Sequence, residues 1–600
     1  MLKLKRCGFI FVIILFCHSD IALCKQNTPL ELEPIVITKS KACLLDNYSL
    51  EYGVLKNLPF GSFIEALSLL PLDLQSRSLK GGIQTDFSLR GSNFQGVLVL
   101  VDGQRINDPQ TAHHNSDIPF TREDIERIEV IPGLGSSLYG PDAIGGAINI
   151  ILKKPKGRKM VLESGFGRYE TKSGLFSISD KIGDLAVRFS IDDQESEGFR
   201  NDTDFKKFTA TLNSSWDMPD GEFVFNSGYL EKEFGAYDFY TPGLGYPSKE
   251  WTKTYLLTTG FNLEREGFLI KPNFLWRRHY DKFMLDKTQV SSKFLSHHRT
   301  DLFTPNIYFQ KELEILGRFG LGAEFSDERI VSTTLGNHSR QHKSIFMDDA
   351  KDLSDKLSLG LSFRMDNFEA FDEVYTGSAG IGYKFSKEHS VHFDLSKSTR
   401  IPSFTELYYS DPVTVGNLSL SEENSFNFQS GYDYKGEGVS AGITFFLRKE
   451  TDSIDWVKLA PGQERWQAEN IVEAEVFGIE NHSRLGINNI ISLDYNYTYI
   501  DKRIDDGGYI YKYGQNYMRH LANATLSLSL PFGFQTLALT YKKKPARDGW
   551  FLLSAGFTYN LNKSCHIFLN ITNLLNVEYQ EIEGIPQPGR WIGSGIRFEW

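Results

Sequence analysis

The sequence predicts a transmembrane antiparallel β-barrel of about 22 strands, preceded by a small α+β domain. Two observations carry that reading: over 400 residues of period-two hydropathy after Gly157, and a different, mixed pattern before Lys153. A third is an N-terminus built for export.

In the long segment, Leu357, Leu359, Leu361, Phe363 and Met365 alternate with Ser358, Gly360, Ser362 and Arg364. Ala524, Leu526, Leu528 and Leu530 repeat the pattern against Thr525, Ser527 and Ser529, and Leu553, Ala555, Phe557 and Tyr559 do so again. Alternation puts one set on each face of a strand. Here the second set is small and polar, which suits lipid on one side and a wet lumen on the other. Residues 155–600 number 446. Allotting about 20 residues to each strand and its connection gives roughly 22 strands. Short connections such as Leu530–Gly533 and Asn560–Lys563 read as periplasmic turns, and 233–252 and 408–424 as extracellular loops. The soluble rival is a large sandwich or propeller, but no blade repeat of about 40 residues is present.

Before Lys153 the elements are mixed. Ser62-x-x-Glu65 is a capping-box pattern opening a short helix that ends before Pro71. Val97-Leu-Val-Leu-Val101 is an apolar strand closed by the Asp102-Gly103 turn. Ile125–Ile131 and Gly145–Ile151 supply two more strands.

At the start, Lys3, Lys5 and Arg6 precede an apolar run from Cys7 to Cys17, too short to span a bilayer as a helix. Ala22-Leu23-Cys24 offers a cut after Cys24. A lipoprotein signal with Cys24 acylated is the rival, and the bulk of Leu23 argues against it. Cys43 and Cys565 then remain, as free thiols or as one pair, with no disulfide framework or metal cluster.

Composition excludes other classes. A net charge of −11 without a polybasic run argues against nucleic acid. There is no Ser/His/Asp order, metal-protease pair or phosphate loop, so no catalytic residue is expected and the chain does not read as an enzyme.

The motifs sharpen this picture. Glu33-Pro-Ile-Val-Ile-Thr38 is followed by Leu89-Arg-Gly91, Val101-Asp-Gly103 and Asn107-Asp-Pro109. Then come Ile125-Glu-Arg-Ile-Glu-Val130, Leu138-Tyr-Gly140 and Ala143–Ile150. Later stand Ile401–Tyr408 with Gly416–Leu420, Asn573-Leu574 with Tyr579, and Pro588-Gly-Arg590. Their order and spacing resemble the TonB-dependent receptor family across nearly the whole mature chain. The alternating aromatic end, Ile596, Phe598 and Trp600, resembles the signal read by the barrel-assembly machinery of Gram-negative outer membranes.

The resemblance implies a signal peptide at 1–24, a TonB box and linker at 25–45, a plug domain at 46–153 inside the lumen, and a barrel at 154–600. It implies active import across a Gram-negative outer membrane, with the TonB periplasmic domain as energy-coupling partner. In the box Glu33, Pro34, Ile35, Val36, Ile37 and Thr38, three β-branched residues sit in a polar tail. Such a segment can add a strand to a partner's sheet edge. The chain departs from the family at two places, Pro132 for a plug arginine and Gln429 for a barrel glutamate. The expectation is one remaining charged latch, Arg90–Glu406.

By the same resemblance, substrate meets the plug loop Asn107–Asp117, with His113, His114 and Asn115, and the barrel loop Glu233–Tyr240, with Tyr237, Phe239 and Tyr240. No metal bound by the protein itself is expected from the two histidines. No cofactor is expected either, with calcium at Asp192, Asp193, Asp202 and Asp204 held open because hard oxygen ligands suit it. The resemblance implies a small, metal-containing nutrient. The segment Arg448–Val457 and the Phe239-Tyr240 loop look most like the cobalamin branch, with ferric siderophores as the close rival. Residues 402–418 contain no histidine, which argues against haem. A passive porin or an adhesin is the rival of another class.

Overall fold

The computed structural model describes residues 48–600 except 290–294, 459, 461, 506 and 515. The expected signal segment, the Glu33–Thr38 box and Cys43 lie outside the described residues; Cys565 is buried at the start of a barrel strand.

Twenty-two long strands form a closed antiparallel barrel. The first, Lys159–Gly167, pairs with the last, Trp591–Glu599, and closes the wall. Alternation decides what each face meets. On Leu357–Phe368, Ser358, Ser362 and Arg364 are buried while Leu361 and Phe363 are exposed outward. On His520–Leu530, Asn523, Thr525 and Ser527 are buried inward. Apolar side chains thus face the lipid and polar ones the lumen, as a membrane barrel requires. The short turns share one rim, the periplasmic one, and the long connections share the extracellular rim.

Inside the lumen sits the mixed domain. Its five-stranded sheet runs in the order Tyr48–Glu51, Ile125–Pro132, Gly146–Leu152, Val97–Val101, Gln104–Arg105. Val97–Val101 lies parallel to Gly146–Leu152, and all five of its residues are buried. At Gly146 (φ 134°) an added Cβ would fall 2.3 Å from the Ile131 carbonyl oxygen, so only glycine allows the turn to meet its neighbour. The core around Val99, Ile128 and Ile148 continues into Leu256, Leu275 and Leu302 of the wall. Plug and barrel therefore share one apolar core.

The expected capping box forms only in half. Ser62 Oγ accepts from the Ile64 and Glu65 amides at the start of Phe63–Ala66. Glu65 turns away, accepting from the Gly81 amide at 2.9 Å and pairing with Lys80.

Candidate functional site

The plug loop 107–117 is shaped by its own side chains. Asn107 bridges Val99 N and Val97 O, tying the loop to the central strand. Asn115 Oδ1 accepts from the Asp108 amide at 2.9 Å and draws the loop closed. Asp108 then receives Arg277 at 2.5 Å and the Thr300 hydroxyl at 3.0 Å, both from the wall.

The two histidines point to different neighbours. The His113 ring stacks on Phe94 at 4.4 Å, and its Nδ1 meets Asp86 at 2.8 Å. Burial pushes the His113 imidazole below its usual range, against the pull of Asp86. Burial would raise Asp86, but His113 and Arg77 together hold its carboxyl well below the usual carboxylate range. His114 instead faces the wall, with its ring 4.5 Å from that of His279 and its Nε2 3.5 Å from Asp281.

The barrel loop after Gly235 folds down onto this assembly. Phe239 is 1% exposed, packed with Ile83, Phe205 and Phe234. Tyr240 donates to Glu250 at 2.9 Å, receives Gln84, and lies under the Arg77 guanidinium. Burial, with Glu250 adding to it, pushes the Tyr240 phenol far up. His113, His114, Asn115, Phe239 and Tyr240 are thus brought to one place, where plug, loop and wall meet. Tyr237 is not: it is half-buried beside Arg200 and the Asp202 carbonyl, in the outer part of the loop. Phe239 offers no face for stacking on a ligand in this closed arrangement, because its ring fills the hydrophobic seal. The four acidic residues of the extracellular side do not converge. Asp192 and Asp193 are consecutive on one strand and point to opposite faces, and Asp202 pairs with Lys287.

The expected Arg90–Glu406 latch is replaced by another. Arg90 clamps Glu480 with two hydrogen bonds, at 3.0 and 2.6 Å, and donates to Gln429 at 2.8 Å. Glu406 is committed locally, closing a capping box on Ser403 and receiving Arg400 at 2.8 and 3.0 Å. Both its oxygens are used, so none remains for the plug. Further buried pairs ring the plug. Arg105 bridges Asp142 and Glu328 at 2.7 Å each, Lys542 bridges Asp73 and Glu581, and Arg597 reaches Glu123 at 2.8 Å.

Sequence reasoning missed Lys232, Glu250, Arg277, His279 and Asp281. A signal for three of them exists: Arg277, His279 and Asp281 occupy alternate positions of Phe268–Met284, a polar stripe interleaved with Trp276, Arg278 and Tyr280. Alternation alone sends such a stripe into the lumen.

Comparison with known proteins fits this architecture. Residues 183–574 match the family model "TonB dependent receptor-like, beta-barrel", and residues 50–147 match "TonB-dependent Receptor Plug Domain". The chain belongs to the TonB-dependent receptor family. It is similar to the vitamin B12 transporter BtuB of Vibrio cholerae, 23% identical over 554 residues and 85% of each chain. It is also similar to the iron-regulated outer membrane virulence protein of V. cholerae, 25% identical over 581 residues, covering 86% of this chain and 87% of the relative. Among solved structures, the siderophore receptor PirA from Pseudomonas aeruginosa has TM-score 0.73 at 16% identity, covering 92% of this chain and 99% of that one. The ferric enterobactin receptor PfeA from the same organism has TM-score 0.76 at 14% identity, covering 93% and 99%. At such identities the solved structures share the fold alone. The TonB-dependent receptor described here is an outer-membrane receptor with its lumen filled by a plug.

Proposed function

We propose that this receptor imports cobalamin across the Gram-negative outer membrane. Ligand captured above the plug loop signals inward, and the TonB periplasmic domain pulls on the plug through Glu33–Thr38, with no covalent chemistry on the ligand. The observation that carries the active mechanism is the plug itself, which shares its core with the wall and is pinned by buried ion pairs. Such a plug leaves only with work, since each buried charge stripped of its partner is costly. Cobalamin is favoured by the near full-length similarity to vitamin B12 transporters. A ferric siderophore is the second reading, favoured by the equally extended similarity to an iron-regulated relative.

The test is a binding screen of purified receptor against cyanocobalamin, ferric siderophores and haem, followed by cellular uptake of the tightest binder. The expected result is saturable cobalamin binding. Ile35→Pro or Val36→Pro should keep that binding and abolish uptake, because proline breaks the strand lent to the partner. Uptake that survives both substitutions would exclude energy coupling through the box.

A further inference from the structure

The wall and the plug loop together build a second chemical feature, independent of which nutrient is carried. His114, Asp117 and His279 each present one ligand atom, and the three atoms lie within 4.8 Å of one another. His114, Glu250 and Asp281 form a second such triplet sharing His114. All five side chains are buried.

His114 Nδ1, His279 Nε2, Asp117 Oδ2 and Asp281 Oδ1 have no hydrogen-bond partner among the described residues. Buried polar atoms are normally satisfied, so four orphans in one cluster need an explanation. Their other ends are held. His279 Nδ1 shares a 2.8 Å hydrogen bond with Thr254 Oγ1, Asp117 Oδ1 receives Lys232, and Glu250 receives Tyr240. Outer hydrogen bonds of this kind orient metal ligands and fix the histidine tautomer. The charge points the same way. Asp108 pairs with Arg277 and Asp117 with Lys232, while Glu250 and Asp281 have no lysine or arginine partner among the described residues.

Two imidazoles and a carboxylate are a donor set for a borderline-soft ion. Calcium and magnesium would take oxygen ligands throughout. We propose that a divalent transition ion of the zinc class binds at His114, Asp117 and His279. Two of these ligands come from the plug and one from the wall. The ion therefore ties the plug loop to the barrel beneath the Phe239–Tyr240 seal, and Thr254 acts as a positioning residue through His279.

The experiment uses the full-length receptor, stripped with chelator, incubated with Zn²⁺ and desalted, with retained metal measured by mass spectrometry. Co²⁺ loading reports ligand geometry through its visible spectrum. About one retained ion per chain is expected for a site of this composition. His114→Ala and His279→Ala should abolish retention, and Thr254→Ala should weaken it roughly 10–100-fold while altering the Co²⁺ spectrum. Heat-modifiable migration establishes that each variant is folded. Retention of neither ion by folded wild-type receptor overturns the proposal, as does undiminished retention in His114→Ala or His279→Ala. Should the alanine variants not fold, Thr254→Ala decides: wild-type affinity and an unchanged Co²⁺ spectrum overturn it.

Discussion

Three neighbouring wall strands, Gly221–Gly235, Lys249–Arg265 and Phe268–Met284, meet the plug in opposite ways at their two ends. Towards the extracellular rim they present Lys232, Glu250, Arg277, His279 and Asp281, all buried against the plug loop. Towards the periplasmic rim the same strands present Glu222, Val224, Gly260, Asn262, Leu269 and Lys271 around a cavity of about 700 Å³. Lys153, Lys154 and Asp102 of the plug side face that cavity. One end is closed by charge and apolar packing, and the other leaves room for water. Resistance to plug movement is therefore uneven along a single stretch of wall. A pull from the periplasm meets the loosely filled end first and the ionic end last.

The largest expected effect breaks that asymmetry at its strong end. Arg277→Ala leaves the Asp108 carboxylate buried with the Thr300 hydroxyl and lost charge compensation. Removing one partner of a buried pair costs about 3–5 kcal/mol. The plug should loosen, measured as raised conductance of the receptor in planar bilayers. Asn262→Ala at the cavity end should change stability by less than ~0.5 kcal/mol and leave conductance at the wild-type level. Equal conductance in the two variants would remove the distinction between the two ends.

How much of this was readable in the sequence follows from range. Period-two hydropathy at Leu357–Met365 fixes inside and outside, because each strand records it within ten residues. The Arg90–Glu480 pair joins positions 390 apart and depends on the register of the whole barrel, which no local pattern records. Glu406 is different. Ser403-x-x-Glu406 is itself a capping-box pattern, and it already commits that carboxylate to its own helix. Ser62-x-x-Glu65 carries the same pattern, yet Glu65 prefers the Gly81 amide brought to it by the plug fold. Pattern proposes a partner, and tertiary competition selects one. The His279 cluster needed both a stripe on one strand and a loop from another domain, so half of it was legible and half was not.

Intermediate effects probe the boundary between the two ends. Gly228 lies midway along its strand, where an added Cβ would fall 2.1 Å from the Pro119 carbonyl oxygen. Gly228→Val should destabilise the seated plug by roughly 1–3 kcal/mol, the usual cost of overpacking. Hydrogen exchange in segment 107–120 should rise before exchange in the Gly146–Leu152 strand. At the cavity, Ser215→Trp adds bulk to the lumen side of the wall. If plug movement uses that space, uptake at saturating ligand falls while Kd holds; unchanged uptake would assign movement to another part of the lumen.

The last effect concerns pH at the open end. Burial raises the Asp102 carboxyl to about 7, opposed by the Leu152 amide and by Lys154 and Arg127. Unfolded aspartate titrates near ~3.9. Between those values the folded plug holds a proton that the unfolded chain has released, so stability falls as pH rises and levels off above the folded value. Asp102→Asn cannot titrate and should remove that slope while leaving the ionic end untouched. Hydrogen exchange of the plug sheet at pH 5.5 and pH 8, on wild type and variant, measures it. A wild-type slope that persists in Asp102→Asn would move the titration to another group, with Lys153, lowered to about 7 chiefly by burial, excluded by sign because its effect runs towards greater stability as pH rises.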